Sequence, residues 1–357
     1  MTTYLLAGGG TAGHVNPLLA VADALVAREP DATVLVLGTR EGLEARLVPL
    51  RGYELLFVDK VPFPRRPDAA ALRFPARFMR AVRQVRAHIR SRGVDVVVGF
   101  GGYAAAPAYV AARRAGVPVV VHEANAKPGL ANVLGARRAA ASGVAFEGTP
   151  LRGAEVVGMP LRPEIVHLDR PALRAEAAAA FGLDAERPVL LVFGGSLGAV
   201  RINHALADSW QDIVASGWQI LHAAGERNDI ADPGDTSYRV VPYIDRMDLA
   251  FALADAIVSR SGAATVSEIS ALGIPAVYVP YAVGNGEQAL NAASAVGAGA
   301  AVLIPDAELT GDRIRSAVVP LLTDPAALDR MRAAAATVGT RSGSENVLGL
   351  IDRALVR

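Results

Sequence analysis

Short apolar runs punctuate this chain at regular intervals. They lie at residues 3–7, 33–37, 94–98, 117–121, 188–193, 219–223, 255–259 and 275–279. Each suits a buried strand and is too short for an ordinary helix. Helical patterns fill the intervals, as in Leu18-Leu19-Ala20-Val21-Ala22-Asp23-Ala24-Leu25. Such alternation predicts an α/β fold, with parallel sheets covered by helices on both faces.

The pattern also repeats. Leu5 to Pro17 reads as strand, glycine-rich turn and helix start, and Leu190 to Ala199 echoes it without a histidine. A longer pair follows the same logic. Val96 to Tyr103 leads through an alanine-rich helix to Gly116-Val117-Pro118, and Ile257 to Gly262 leads through another to Gly273-Ile274-Pro275. Two similar half-chains predict two Rossmann-like domains, with ligand expected between the carboxyl ends of their strands. The division is expected near Gly158-Met159-Pro160-Leu161-Arg162-Pro163, where prolines bracket the chain. That makes 1–160 an N-terminal domain, 161–340 a C-terminal domain, and 341–357 a closing segment. Within the last, Asn346 to Arg357 reads as an amphipathic helix that returns to the first domain.

Composition acts mainly by exclusion. A chain of 357 residues is long for one core, which agrees with two domains. Thirty-six basic and 35 acidic residues nearly cancel, so whole-chain charge argues neither for nor against nucleic acid, and no motif leads us to expect such a partner. The absence of cysteine removes disulfides, thiolate metal sites and a thiol nucleophile. No basic segment followed by an apolar one opens the chain, so no secretory leader is expected. No uncharged apolar run reaches the ~20 residues that cross a bilayer. The expected location is the cytosol, or a membrane approached from the cytosolic side.

Residues 61–92 carry their own charge pattern. Arg65, Arg66, Arg73, Arg77, Arg80, Arg83, Arg86, Arg90 and Arg92 stand against one acid, Asp68. Phe78, Val82, Val85 and Ile89 recur at helical spacing, with Phe63, Phe74 and Met79 nearby. Arginine beside apolar side chains suits an anionic lipid surface. The same stripe also suits a core-facing helix with a solvated basic face, so the loop around Phe63 and Phe74 is the stronger membrane candidate.

Candidate chemistry begins at Gly8-Gly9-Gly10-Thr11-Ala12-Gly13-His14. A strand, a tight glycine turn and a helix start point backbone N–H groups at an anion. His14 adds a titratable group at the rim. A dinucleotide site of this type places an acid about 20 residues on, at the end of the second strand. That strand ends instead in Gly38-Thr39-Arg40, which leaves an NADP-dependent oxidoreductase resting on Arg40 alone. Ser261-Gly262-Ala263-Ala264-Thr265-Val266-Ser267-Glu268 is another strand-to-helix junction suited to a diphosphate, and Glu268 suits ribose hydroxyls. Gln288 and Asn291, three apart after a polar loop, present amides suited to a sugar. His122-Glu123-Ala124-Asn125 follows a strand but lacks the second histidine of a zinc motif. No acidic or histidine cluster has ligand spacing, so neither a resident metal nor another cofactor is expected.

Taken in order, several motifs resemble one family. They are Gly-Gly-Thr-Ala-Gly-His at 9–14, Gly-Gly-Tyr at 101–103, His-Glu-x-Asn at 122–125 and Gly-x-Pro-Leu-Arg at 158–162. Gly-Gly-Ser-x-Gly-Ala at 194–199, Tyr-Ile-Asp-x-Met at 243–247, Ser-Gly-Ala-x-Thr-Val-Ser-Glu at 261–268 and Gln-x-x-Asn at 288–291 follow. From about residue 4 to 350 the sequence resembles the MurG family. These enzymes move N-acetylglucosamine from UDP-N-acetylglucosamine to lipid I in peptidoglycan synthesis.

The resemblance implies a GT-B fold, inversion at the anomeric carbon and no metal requirement. It implies a peripheral enzyme on the cytoplasmic face of the membrane, active in cell-wall biogenesis and hence in cell shape and division. It also implies roles for individual residues. Thr11, Ala12 and Gly13 form the first loop near the diphosphate and acceptor, and His14 is the general base. Asn125 lies by the donor sugar, and Arg162 and Ser196 hold the diphosphate side. Ile244 binds uracil, Ala263, Ala264, Thr265, Val266 and Ser267 face the diphosphate, Glu268 holds the ribose, and Gln288 and Asn291 read the sugar. Glu287, where some members have Gln, and Asn16, often aromatic, depart from the pattern. The alternatives are another GT-B transferase, a UDP-sugar epimerase or the oxidoreductase. Conversion without an acceptor would mark the epimerase, and nicotinamide binding would mark the oxidoreductase.

Overall fold

The structure, a computed structural model, describes residues 1–64, 69–195, 198–228, 230–281 and 286–356. The chain forms two compact units. Unit 1 comprises Met1–Pro163 with Arg341–Arg357, and unit 2 comprises Glu164–Thr340.

Among the described residues unit 1 carries seven strands: β1 (Thr3–Ala7), β2 (Thr33–Gly38), β3 (Glu54–Phe57), β4 (Val96–Gly99), β5 (Val119–Glu123), β6 (Ala141–Val144) and β7 (Ala154–Val156). All pair in parallel, in the order β3-β2-β1-β4-β5-β6-β7. Parallel strands need crossovers, and helices supply them: α1 (Ala12–Arg28), α2 (Glu44–Leu50), α3 (Ala69–Arg92), α4 (Ala105–Ala115) and α5 (Leu130–Ala136). One face of the sheet packs on α3 and α4 through Val82, Val85, Ile89, Ala105 and Ala108. The other packs on α1 and on helix Gly343–Leu355 through Val15, Leu18, Val347, Leu350 and Ile351. That last helix is tied down by Asn346 Nδ2 donating to Val157 O at 2.9 Å and by the Arg28–Asp352 ion pair at 2.9 Å.

Unit 2 carries β8 (Val189–Phe193), β9 (Gln219–Ala223), β10 (Tyr238–Val241), β11 (Ala256–Ser259), β12 (Ala276–Tyr278) and β13 (Ala301–Leu303). These too are parallel, in the order β10-β9-β8-β11-β12-β13.

The apolar stripe of residues 61–92 resolves into core. Val82, Val85 and Ile89 are buried and Phe78 packs against them, while Arg73, Arg77, Arg80, Arg83, Arg90 and Arg92 stay exposed. Each buried aliphatic side chain contributes about 1.5–3 kcal/mol, enough to orient the helix. Phe74 belongs to α3 rather than to a loop. Its ring lies 5.1 Å from that of Phe63 and 5.6 Å from that of Phe78. Arg65, Arg66 and Asp68 lie outside the described residues.

Candidate active site

In an open parallel sheet, ligands bind where the strand order reverses, outside the carboxyl ends of the strands. Unit 1 reverses between β1 and β4. Gly8, Gly9 and Gly10 leave β1 there, and Gly101 and Gly102 leave β4. Gly9 takes φ +157° and Gly10 φ +92°, conformations suited to glycine. Gly102 has φ +80°, and a Cβ on it would stand 2.2 Å from Gly9 O. The two turns therefore touch backbone to backbone.

Thr11 precedes α1 in extended conformation, and its side chain makes no cap hydrogen bond. The first-turn N–H groups beside Ala12 and Gly13 therefore remain available to an anion. His14 stands one residue further, half-buried. Its Nδ1 lies 3.2 Å from Gly9 O and 3.2 Å from Thr11 Oγ1. A carbonyl can only accept, so this network assigns the proton to Nδ1 and the lone pair to Nε2. Nε2 lies over the β4 turn, where a Cβ on Gly101 would come within 3.0 Å of it. One nitrogen is anchored and the other is basic, as a proton acceptor requires.

An acid passed over in the sequence organises this turn. Glu44 is fully buried. One carboxylate oxygen accepts from Thr39 N at 2.8 Å and Thr39 Oγ1 at 2.9 Å, and the other accepts from Gly10 N at 2.8 Å. Arg40, by contrast, stacks over the Phe57 ring at 4.3 Å.

His122 and Glu123 lie inside β5 instead of following it. Burial lowers the His122 pKa, and its Nε2 donates to Gly158 O at 2.9 Å. Glu123 accepts from Asn125 N, Gly129 N and Asn132 Nδ2, each at 2.9 Å. Asn132 Oδ1 accepts from Tyr109 OH at 2.7 Å, and burial followed by the Glu123 charge raises the tyrosine pKa. The Asn125 loop is thus held by a buried carboxylate. Arg162 is half-buried near the end of unit 1's main segment.

Unit 2 reverses between β8 and β11. Gly194, Gly195 and Gly198 follow β8; Ser196 lies outside the described residues. After β11, Ser261 and Gly262 lead into helix Ala263–Ala271. Gly262 occupies the cap and has no side chain to offer, so the N–H groups of Ala263, Ala264 and Thr265 have no acceptor within the helix. Ser261 Oγ is buried and has no partner among the described residues. Val266 points into the core, whereas Ser267 and Glu268 are half-buried.

A cavity of about 930 Å³ opens beside this junction, lined in part by Gly195, Arg201, Arg260, Thr265, Tyr281 and Gln288. Gln288 Oε1 accepts from Tyr281 N at 2.9 Å. Asn291 is buried, its Nδ2 3.4 Å from Ser261 O. The two amides thus brace the turns beside the cavity. The polar loop residues Gly284 and Asn285 lie outside the described residues. Ile244 is buried beyond β10 and does not line this cavity. Arg260 was missed in the sequence although it directly follows a strand. It donates to Val279 O at 3.0 Å and pairs with Asp306, which also holds Arg201 at 3.1 Å. Among the described residues no group of three His, Cys, Asp or Glu is placed to hold a metal ion.

Matches to known proteins cover both units. Residues 4–144 match the glycosyltransferase family 28 N-terminal domain, and residues 189–347 match the family's C-terminal domain. A protein of Clavibacter michiganensis subsp. michiganensis is 63% identical over 98% of this chain and 96% of its own length. One of Mycolicibacterium smegmatis is 52% identical over 97% and 92%. Both are named UDP-N-acetylglucosamine–N-acetylmuramyl-(pentapeptide) pyrophosphoryl-undecaprenol N-acetylglucosamine transferase. The crystal structure of Acinetobacter baumannii MurG superposes with a TM-score of 0.81 at 28% identity, covering 99% of this chain and 100% of that one.

Proposed function

The chain belongs to the MurG family of glycosyltransferase family 28, and from that premise we propose how its residues carry out the family's transfer. The protein moves N-acetylglucosamine from UDP-N-acetylglucosamine to the 4-hydroxyl of the muramyl sugar of lipid I and forms lipid II. The reading is a single displacement with inversion. The acceptor hydroxyl attacks the anomeric carbon, the C–O bond to the diphosphate breaks, and UDP leaves from the opposite face.

His14 takes the hydroxyl proton on Nε2. The observation that carries this is the anchoring of Nδ1 on Gly9 O, which leaves Nε2 as acceptor. General bases of this kind contribute about 10²–10⁴ in rate. Thr11, Ala12 and Gly13 lie against the diphosphate and acceptor, and Asn125 by the donor sugar. The helix start from Ala263 to Ser267 meets the departing diphosphate. Its N–H groups and helix dipole stabilise the charge as it develops, aided by Arg162 and Ser196. Glu268 accepts from the ribose, Ile244 holds uracil through its backbone, and Gln288 and Asn291 read the sugar.

Among the described residues no helix is long and apolar enough to cross a membrane. We infer peripheral docking on the cytoplasmic leaflet through Phe63, 39% exposed, and Leu72, 86% exposed, beside Arg73, Arg77 and Arg80. Phe74 serves as the bridge that ties this patch to the core.

The test is transfer of radiolabelled sugar from UDP-N-acetylglucosamine, with and without a polyprenyl-diphosphate muramyl acceptor, in EDTA. Label in lipid only when the acceptor is present is expected. Sugar conversion without acceptor would favour an epimerase instead.

A further inference from the structure

The Gly9–Gly10 peptide is bonded at both ends. Its carbonyl, Gly9 O, lies 3.2 Å from His14 Nδ1, and its N–H, on Gly10, donates to Glu44 at 2.8 Å. A carboxylate, one amide plane and an imidazole therefore stand in a single hydrogen-bonded line. The amide is conjugated, so a negative acceptor on its N–H shifts electron density toward its oxygen. That oxygen becomes a better acceptor for the Nδ1 proton, above all when the ring is an imidazolium. We propose that Glu44 is the positioning acid of His14, acting through the Gly9–Gly10 peptide. It holds the ring in the tautomer with Nε2 free and stabilises the charge the ring acquires on taking a proton. This rests on the reading of His14 as base.

The site is built for the task. Glu44 is fully buried, and Thr39 fixes its second oxygen through both N–H and hydroxyl. Close packing leaves the carboxylate little freedom. A Cβ on Gly42 would fall 2.0 Å from Glu44, and one on Gly9 would fall 2.2 Å from it. The other groups about His14 are few. Thr11 Oγ1 faces Nδ1 from the ring's own turn. From the β4 turn, Gly101 lies against Nε2 and Tyr103 lies near Gly10, with the Lys60 ammonium 5.1 Å over the Tyr103 ring. From β5, Glu123 is separated from the Gly101 turn by Asn132, which it binds at 2.9 Å. Among these, Glu44 is the charge hydrogen-bonded to the peptide that holds the imidazole.

The experiment follows the His14 ring protons by NMR against pH in the full chain, together with kcat. Glu44→Gln is expected to reduce the share of the ring that carries its proton on Nδ1, since Gly9 O becomes a weaker acceptor. It should lower kcat roughly tenfold, with UDP affinity unchanged. In a His14→Ala background the same substitution should cost nothing further. An unmoved tautomer ratio in the folded variant, or an equal loss in both backgrounds, overturns the proposal and leaves Glu44 a purely structural residue. Should Glu44→Gln fail to fold, Glu44→Asp keeps the charge but withdraws it from Gly10, and the share of rings protonated on Nδ1 must still fall. Normal turnover in His14→Ala overturns the base reading instead, while the NMR shift still decides whether Glu44 is coupled to the ring.

Discussion

After β1 the chain runs Gly8-Gly9-Gly10-Thr11-Ala12-Gly13-His14, and after β8 it runs Gly194-Gly195, then Gly198-Ala199-Val200. Both turns sit at the reversal point of a parallel sheet and both open into a helix. The third helical residue is His14 in the first and Ile202 in the second, and Ile202 is buried in the core. The first turn is gripped by the Glu44 carboxylate. The second packs on backbone, where a Cβ on Gly198 would stand 2.0 Å from Ala224 O. The fold supplies the turn in each case. On the proposed reading, a single position on the helix and the acid that opens α2 separate a turn that carries a base from one that is only a cradle for an anion.

The comparison breaks most sharply at His14. His14→Ala should lower kcat by about 10²–10⁴ while UDP binding persists, because the proposed uracil and ribose contacts, Ile244 and Glu268, belong to the other unit. Near-normal turnover would dissolve the distinction between the two turns.

On the other side, Glu268→Ala should weaken UDP affinity by roughly tenfold or more, as expected for a lost charged hydrogen bond. Calorimetric titration with UDP measures this, and unchanged affinity would reject the ribose contact.

A smaller effect concerns the membrane. The pair Arg73→Ala and Arg80→Ala should reduce partition onto anionic vesicles by about 1 kcal/mol per residue and leave zwitterionic vesicles unaffected. No loss on anionic vesicles would assign the binding to Phe63 and Leu72 alone.

The smallest effect at neutral pH concerns a second histidine. His222 is buried in unit 2 between Tyr238 OH at 2.9 Å and Asn203 Oδ1 at 3.0 Å. Burial lowers its pKa to about 4. The folded form then binds fewer protons than the unfolded form between that value and the ordinary ~6.5. Stability is therefore complete above pH ~6.5 and falls by up to ~1.4 kcal/mol per unit as pH drops toward 4. Thermal melts of the protein and of His222→Gln should converge as pH falls through this window. A constant gap between them would reject the linkage.

Legibility followed burial. Strands covered on both faces, such as β1 and β4, announce themselves as apolar runs, because every side chain meets a helix. The edge strands β3, β7, β10 and β13 are mixed in burial and only three or four residues long, and they escaped notice. β6 lies inside the sheet but hides for another reason. Its Gly143 makes room for Val157 and Leu350, so small residues replace the expected aliphatic ones.

His14 was visible because a strand, a glycine turn and a helix start are contiguous in sequence. Glu44 was not, because an acid in the first turn of a helix reads as solvated until its burial is known. Likewise, the spacing of Val82, Val85 and Ile89 required a helix, but which way that helix faces is a property of its neighbours.

What the sequence alone determined was the alternation of strand and helix, the doubling of the fold, the ordered motifs of the family and the candidate base. These depend on local periodicity and on residues close along the chain. Only the tertiary structure decided that helix Gly343–Leu355 covers the first sheet, that residues 78–89 face inward, and that Glu44 reaches His14 across the Gly9–Gly10 peptide. Those facts depend on contacts between residues far apart in the chain, and burial and hydrogen-bond satisfaction select such contacts only once the whole chain has packed.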